Sequence, residues 1–467
     1  MKSFLRRCAA IFLVLVLLAC LTFGAWADVP GKGESNTENT GTEKEGITKS
    51  AAENNQNSET PPVEIHAKAA ILMDAASGTI LARYHENDRL YPASVTKIMP
   101  LLLIGEALDS GKIHLTDQVT ASATAASKGG SQIWLKEGET MTVEELLKAT
   151  AIYSANDACT ALGEYLAGSD EAFVRMMNAR AAQLGMTNTH FDNCTGLDDE
   201  TETHLTSAYD IALMSRELLK HDVILQFTTI WMDSLREGTT ELVNTNRLVR
   251  FYEGTTGLKT GTTSKAGCCL SATARRFDTH LIAVVLGSGN SDERFETAKA
   301  LLNWGFANFE SVTYKVDQQK ITPVRVLRGM TETIQPLMGA VTPVLVPKGR
   351  AADLQCTMDL SLDVAAPVEA GQILGNVRLT LDGQEMGSFP LTAPANVPQI
   401  NYATLLRRLL GALCSANFTK VKRGGGSNDL ARESDFSEGK RFTKRKQGLA
   451  YESRLEIHQE KFNGFKV

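Results

Sequence analysis

Tyr91-Pro92-Ala93-Ser94-Val95-Thr96-Lys97 is the stretch from which the rest of this chain can be read. It opens residues 95–108, which are apolar nearly all round after the first turn, as in a helix enclosed at a domain centre. Pro100 removes one backbone hydrogen bond there and predicts a kink. Ser94 and Lys97 are three residues apart, so they share a face if a helical turn begins at the serine. A serine hydroxyl is a poor nucleophile at neutral pH and needs an adjacent base. A lysine can serve once burial or a second cation lowers its pKa. The helix N-terminus adds partial positive charge beside Ser94, which favours negative charge developing there.

Outward from this stretch, the chain divides by texture. Upstream, Ala69-Ala70-Ile71-Leu72-Met73-Asp74 and Thr79-Ile80-Leu81-Ala82-Arg83-Tyr84 flank a turn containing Gly78, the pattern of a β-hairpin. Downstream, Thr142-Val143-Glu144-Glu145 has the form of a capping box opening a helix. Helical patterns follow over 171–184 and 207–219. Strand patterns return over 257–262, 267–275 and 280–287, and a helix over 293–306 closes the unit. Strands at both ends with helices between them predict one mixed α/β (α+β) domain over 63–311, built on an antiparallel sheet. From residue 312 short alternating runs between Pro- and Gly-containing turns predict a small all-β domain to 398.

Residues 399–418 then carry an amphipathic helix. Tyr402, Leu405, Leu406, Leu409, Leu410 and Leu413 share one face, and Arg407, Arg408 and Ser415 lie opposite. With Lys420, Lys422 and Arg423 behind it, the stripe suits a membrane surface; docking on the β-rich domain is the alternative. The charged tail 419–467 is assigned no role.

Ser-x-x-Lys by itself also describes a capped helix with a surface lysine. Two further motifs give it weight: Ser154-Ala155-Asn156 at the end of a helical pattern, and Lys259-Thr260-Gly261 on a strand. Singly these read as a polar loop and a strand ending in a turn. In this order, on these elements, they form the serine–lysine constellation of penicillin-binding proteins and class A β-lactamases. The chain resembles a low-molecular-mass penicillin-binding protein of the D-alanyl-D-alanine carboxypeptidase family across nearly the whole catalytic unit. The resemblance extends to Thr195-Gly196-Leu197, Thr206-Ser207-Ala208-Tyr209-Asp210, Gly257 to Thr263, Ala266 to Leu270 and Trp304-Gly305-Phe306. The β-rich domain and the amphipathic helix also match the family's domain order, in which they act as stalk and membrane anchor.

The resemblance implies a role for each residue. Ser94 attacks the carbonyl of the penultimate D-alanine and becomes an acyl-enzyme, and Lys97 accepts its proton. Ser154 relays a proton towards the leaving amine, and Asn156 positions Lys97 and the substrate amide. Lys259 brings positive charge near the substrate carboxylate, and Thr260 hydrogen-bonds it. Gly261 lets substrate lie close to the strand, and the backbone N–H groups of Ser94 and Thr262 form the oxyanion hole. Arg294 matches a family arginine able to bind the terminal carboxylate; a surface ion pair is the alternative. The implied partners are peptidoglycan stem peptides ending in D-Ala-D-Ala, with β-lactams as inhibitors; no cofactor is implied. A DD-endopeptidase, a weak β-lactamase and a non-catalytic envelope protein are the competing readings.

Two departures bear on this. The second motif has Ala155 where many relatives carry glycine, a change between small residues. No acidic residue and asparagine follow Asn156 at the spacing class A β-lactamases use to activate water; Glu241 and Asn244 are wrongly spaced. Slow penicillin hydrolysis is therefore expected.

Composition bounds the remainder. The chain has 467 residues, long enough for two globular units, and its formal charge of -6 argues against nucleic acid as a partner. Lys2, Arg6 and Arg7 precede an apolar run, and Ala25-Trp26-Ala27 supplies a small-x-small cleavage site, so 1–27 reads as a secretory signal. Leu17-Leu18-Ala19-Cys20 offers a lipoprotein alternative. Either way the protein is expected to be exported, attached to the outer face of the cytoplasmic membrane. Residues 28–62 are polar and read as a disordered linker. Cys159, Cys194, Cys268, Cys269, Cys356 and Cys414 form no C-x-x-C pair and are expected as thiols; scattered histidines imply no metal site.

Overall fold

The computed structural model describes residues 62–199 and 201–415. The expected signal segment, the linker up to residue 61, the charged tail, Cys8 and Cys20 lie outside the described residues.

The centre is a five-stranded antiparallel sheet of β1 (Ala69–Asp74), β2 (Ile80–Tyr84), β3 (Thr255–Thr263), β4 (Gly267–Arg276) and β5 (Thr279–Ser288), in the order β2-β1-β5-β4-β3. Both faces are covered. On one lies a helical region containing α1 (Ile98–Asp109), α2 (Val143–Lys148), α3 (Asn156–Ala167), α4 (Asp170–Gln183) and α5 (Ala208–Leu218); α6 (Ser291–Asn308) lies on the other. Strand alternation divides the core accordingly. Ala69, Ile71 and Met73 join Ile282, Val284 and Leu286 on the helical side. Ala70 and Leu72 join Leu281, Ala283 and Val285 against Phe295, Ala298, Leu301 and Phe306 of α6. A strand buried on both faces needs no polar positions, which is why β1 and β5 read as continuous apolar runs.

Two local expectations change. The helix expected over 95–108 is preceded by a 3₁₀ turn, Ala93–Lys97, and α1 proper starts at Ile98. Pro100 is therefore the third residue of α1, where an N–H has no intrahelical acceptor, and it costs the helix no bond. The capping box is present as expected. Thr142 Oγ1 accepts from Glu145 N at 3.2 Å, and Glu145 Oε2 accepts from Thr142 N at 2.9 Å.

Strand β6 (Phe309–Val312) leads out of α6 and pairs with β7 (Val344–Pro347) of the β-rich region, while Ser311 N donates to Thr279 Oγ1 of β5 at 2.7 Å. This segment therefore joins the two regions. Beyond it, short strands enclose two apolar clusters, one around Val324, Val326 and Leu374 and one around Val377, Leu379 and Leu391. The final helix, α7 (Tyr402–Ser415), touches this region through Arg408, which donates to Met330 O at 2.7 Å. Its apolar stripe stays uncovered: Tyr402 is 92% exposed and Leu405, Leu406, Leu409 and Leu410 between 42% and 56%. Docking of that stripe on the β-rich region is thus not observed. Among the described residues no helix is long and apolar enough to cross a membrane.

Candidate active site

The 3₁₀ turn before α1 has a direct consequence for chemistry. With three residues per turn, side chains at i and i+3 eclipse one another. Lys97 Nζ accordingly donates to Ser94 Oγ at 2.9 Å, and to Thr195 O at 2.8 Å. Lys97 is fully buried while Ser94 keeps partial access to solvent. Burial disfavours the ammonium and pushes its pKa down to about 8, so a useful fraction is neutral base near physiological pH. The Ser94 hydroxyl and the Lys97 amine are thus within proton-transfer reach.

Glycines hold the surrounding walls close. Gly196 has φ +87°, and a Cβ there would meet Ala93 O at 1.9 Å. A Cβ on Gly261 would meet Ser94 N at 2.8 Å, so β3 runs directly against the backbone of Ser94. This approach brings the main chain at Gly261 and Thr262 beside the Ser94 N–H.

Ser154 ends a π-helical turn, Ala149–Tyr153, in the left-handed conformation with φ +69°. Asn156 opens α3 and donates through Nδ2 to Gly129 O at 2.7 Å, and its own backbone N–H donates to Ser131 O at 2.6 Å. Ser154 Oγ and Asn156 Oδ1 are buried without a hydrogen-bond partner among the described residues. Unpartnered buried polar atoms are costly, so these two are left with unused hydrogen-bonding capacity.

Lys259 is also fully buried. Desolvation, with the positive charges of Lys97 and Arg294, drives its pKa well below the ordinary lysine value. Its Nζ donates to Thr260 O at 3.1 Å, and Thr260 Oγ1 donates to Thr245 Oγ1 at 2.6 Å. Thr262 Oγ1 donates to Gly261 O at 2.8 Å. Arg294 is buried, not on the surface. Its Nη1 donates to Gly261 O and Thr262 Oγ1, both at 3.0 Å, and to Cys269 O at 3.3 Å; among the described residues no carboxylate pairs with it. The surface ion pair considered from sequence is absent. The guanidinium instead braces β3 from the α6 side, and burial lowers its pKa.

Three further residues shape the site in ways that sequence reasoning assigned to none of them. Thr195 serves through its carbonyl, which no side-chain motif encodes. Asp157 is fully buried and accepts from the backbone N–H groups of Ile133 and Leu135 at 3.0–3.2 Å, fixing the loop that carries Gly129. His204 Nδ1 accepts from Asp192 N at 3.0 Å, so its other ring nitrogen donates to Thr96 Oγ1 at 2.8 Å. Burial pushes its pKa down to about 4 and keeps the ring neutral. Asn244 is occupied elsewhere: its amide donates to Ile230 O at 2.7 Å. Cys159, Cys194, Cys268 and Cys269 are buried free thiols, as expected.

Comparison with known proteins agrees with this geometry. Residues 54–290 match the family model described as D-alanyl-D-alanine carboxypeptidase, and 309–399 match the C-terminal domain of penicillin-binding protein 5. The chain is 41% identical over 360 residues to D-alanyl-D-alanine carboxypeptidase DacF of Bacillus subtilis, covering 76% of this chain and 91% of that protein. It is 38% identical to DacC of Escherichia coli, over 74% of this chain and 87% of that protein. The structure of penicillin-binding protein 5 from Haemophilus influenzae superposes with a TM-score of 0.63 at 32% identity, covering 73% of this chain and all of that one. The chain belongs to the D-alanyl-D-alanine carboxypeptidase family of penicillin-binding serine hydrolases.

Proposed function

We propose the following division of labour in this carboxypeptidase, carried by the 2.9 Å contact between a buried, pKa-lowered Lys97 and Ser94. Neutral Lys97 takes the hydroxyl proton as Ser94 Oγ attacks the penultimate D-alanine carbonyl of a peptidoglycan stem peptide. The resulting oxyanion lies between the N–H groups of Ser94 and Thr262, a donor pair of a kind worth about 3–4 kcal/mol of barrier each. Ser154 passes the proton to the leaving amine, the C–N bond breaks and D-alanine departs. Asn156 orients the substrate amide. Lys259 and Thr260 receive the substrate carboxylate, and Arg294 keeps their strand in place as a positioning residue. Water then takes the same route through Lys97 and releases the shortened stem. A β-lactam enters the first half of this cycle and stalls at the acyl-enzyme.

The enzyme is read as exported, with 1–27 as signal, 28–62 as linker, a catalytic domain over 63–311, and a β-rich stalk over 312–398. The uncovered stripe of α7 supports attachment to the outer face of the membrane. Labelled penicillin should acylate the wild type and not Ser94→Ala, and a pentapeptide ending in D-Ala-D-Ala should release free D-alanine. Labelling of Ser94→Ala would remove this serine from its role. Cleavage confined to cross-linked dimers would make the enzyme an endopeptidase.

A further inference from the structure

Loop 129–139 does more than wall the active site. Ile133 N and Leu135 N converge on the single carboxylate of Asp157, and the residue between them is forced outward. That residue is Trp134, at φ +60° and 74% exposed. Left-handed backbone is a position for glycine or asparagine, and an indole in water forgoes the burial that most tryptophans obtain. Neither local conformation nor the core accounts for tryptophan here.

Trp134 stands at a cleft of about 840 Å³ between this loop and the hairpin formed by Met232–Leu235 and Thr240–Val243. The floor is rigid: Arg236 donates to Glu139 Oε1 at 2.7 Å, Ile133 O at 2.9 Å and Thr240 Oγ1 at 3.0 Å. With Arg236 and Glu139 satisfied by each other, the groups left facing the opening are Lys136, Glu137, Thr239 and Glu241. Their charge is mixed and slightly acidic, which disfavours a polyanion. An exposed aromatic face ringed by hydroxyl, carboxylate and ammonium groups fits an uncharged, polyhydroxylated ring that stacks by its C–H face and hydrogen-bonds at its edges.

We infer that this cleft binds the N-acetylated sugar chain of the polymer whose stem peptide enters the active site. The assignment rests on the stem-peptide reading above. The two sites share a loop: the segment presenting Trp134 also supplies Gly129 O to the Asn156 side chain and Ser131 O to the Asn156 backbone N–H. An extended stem spans at most about 3.3–3.6 Å per residue, which sets how far from Ser94 a sugar chain tethered to a bound pentapeptide can lie. The enzyme would thus hold its substrate at both ends of the stem.

The test compares a free pentapeptide with the same pentapeptide on a short glycan chain, in the wild type, Trp134→Ala and Trp134→Phe. The wild type should prefer the glycan-linked substrate. Trp134→Ala should lose about fivefold to tenfold of that kcat/KM, chiefly through KM, with free-pentapeptide turnover and penicillin acylation unchanged. Trp134→Phe should keep part of the preference. A hexamer of N-acetylglucosamine should perturb tryptophan emission in the wild type and not in Trp134→Phe. Equal losses on both substrates, no loss on either, or an emission change evoked only by an anionic wall polymer would each overturn the assignment. A wild type inert to free pentapeptide but responsive to the hexamer would sink the stem-peptide reading and leave the sugar site standing.

Discussion

Lys97 carries two opposing requirements in one side chain. Its folded pKa of about 8 lies below the ordinary value of 10.5, so the unfolded chain binds more protons between those two pH values. The burden on folding is complete below pH 8, roughly 3 kcal/mol, and it fades as pH rises towards 10.5. Acylation by labelled penicillin should therefore accelerate about tenfold per pH unit up to about 8 and then level off, as read by stopped-flow. Lys97→Met should abolish acylation and yet raise the urea midpoint, corresponding to about 1–2 kcal/mol once the lost contact to Thr195 O is subtracted. A variant less stable than the wild type would contradict the burial account. Gly196 tests the same site sterically. With φ +87° and Ala93 O lying 1.9 Å from any added Cβ, Gly196→Ala should cost more than about 2 kcal/mol and displace the nucleophile's turn. Loss of thermal stability together with acylation is the expected readout.

At the scale of elements, the groups proposed to carry the chemistry sit where regular structure ends. Ser94 lies on a 3₁₀ turn before α1, Ser154 on the residue closing a π-helical turn, and Asn156 at the start of α3. Helix ends leave backbone groups without intrahelical partners, and here one of them, the Asn156 N–H, is taken up by Ser131 O of the facing loop. Asp157 holds the opposing loop, and its N–H contacts are charge-assisted and buried. Asp157→Ala should cost about 2–4 kcal/mol and weaken acylation by freeing Gly129 from Asn156, while Asp157→Asn should recover part of both. Denaturation midpoints and acylation rates together check this. Acylation at wild-type rate in Asp157→Ala would show that the loop holds without its clamp. The capping box of α2 is a purely local device by contrast. Thr142→Ala should lose about 1 kcal/mol with acylation unaltered.

At the scale of the whole molecule, the carboxypeptidase-family unit is followed by a β-rich domain and then by α7 with its exposed apolar stripe. Ending the chain at residue 400 should leave turnover of a soluble pentapeptide unchanged and abolish co-sedimentation with anionic vesicles, since the exposed stripe of α7 is then gone. Retained sedimentation would direct attention to the N-terminal segment. Much of this plan was legible in the chain itself. Strand and helix periodicity, the Thr142–Glu145 capping box, and three motifs in order specify the α/β unit and name Ser94, Lys97, Ser154, Asn156 and Lys259, because each depends on neighbours a few residues away. Other features arise only when distant segments meet. Thr195 O reaches Lys97 across 98 residues, Arg294 is buried behind β3 instead of paired at the surface, and Asp157 turns Trp134 outward. The depressed pKa values of Lys97 and Lys259 belong to this second group as well. Desolvation is set by the volume that surrounds a charge, and tertiary packing alone determines what fills that volume.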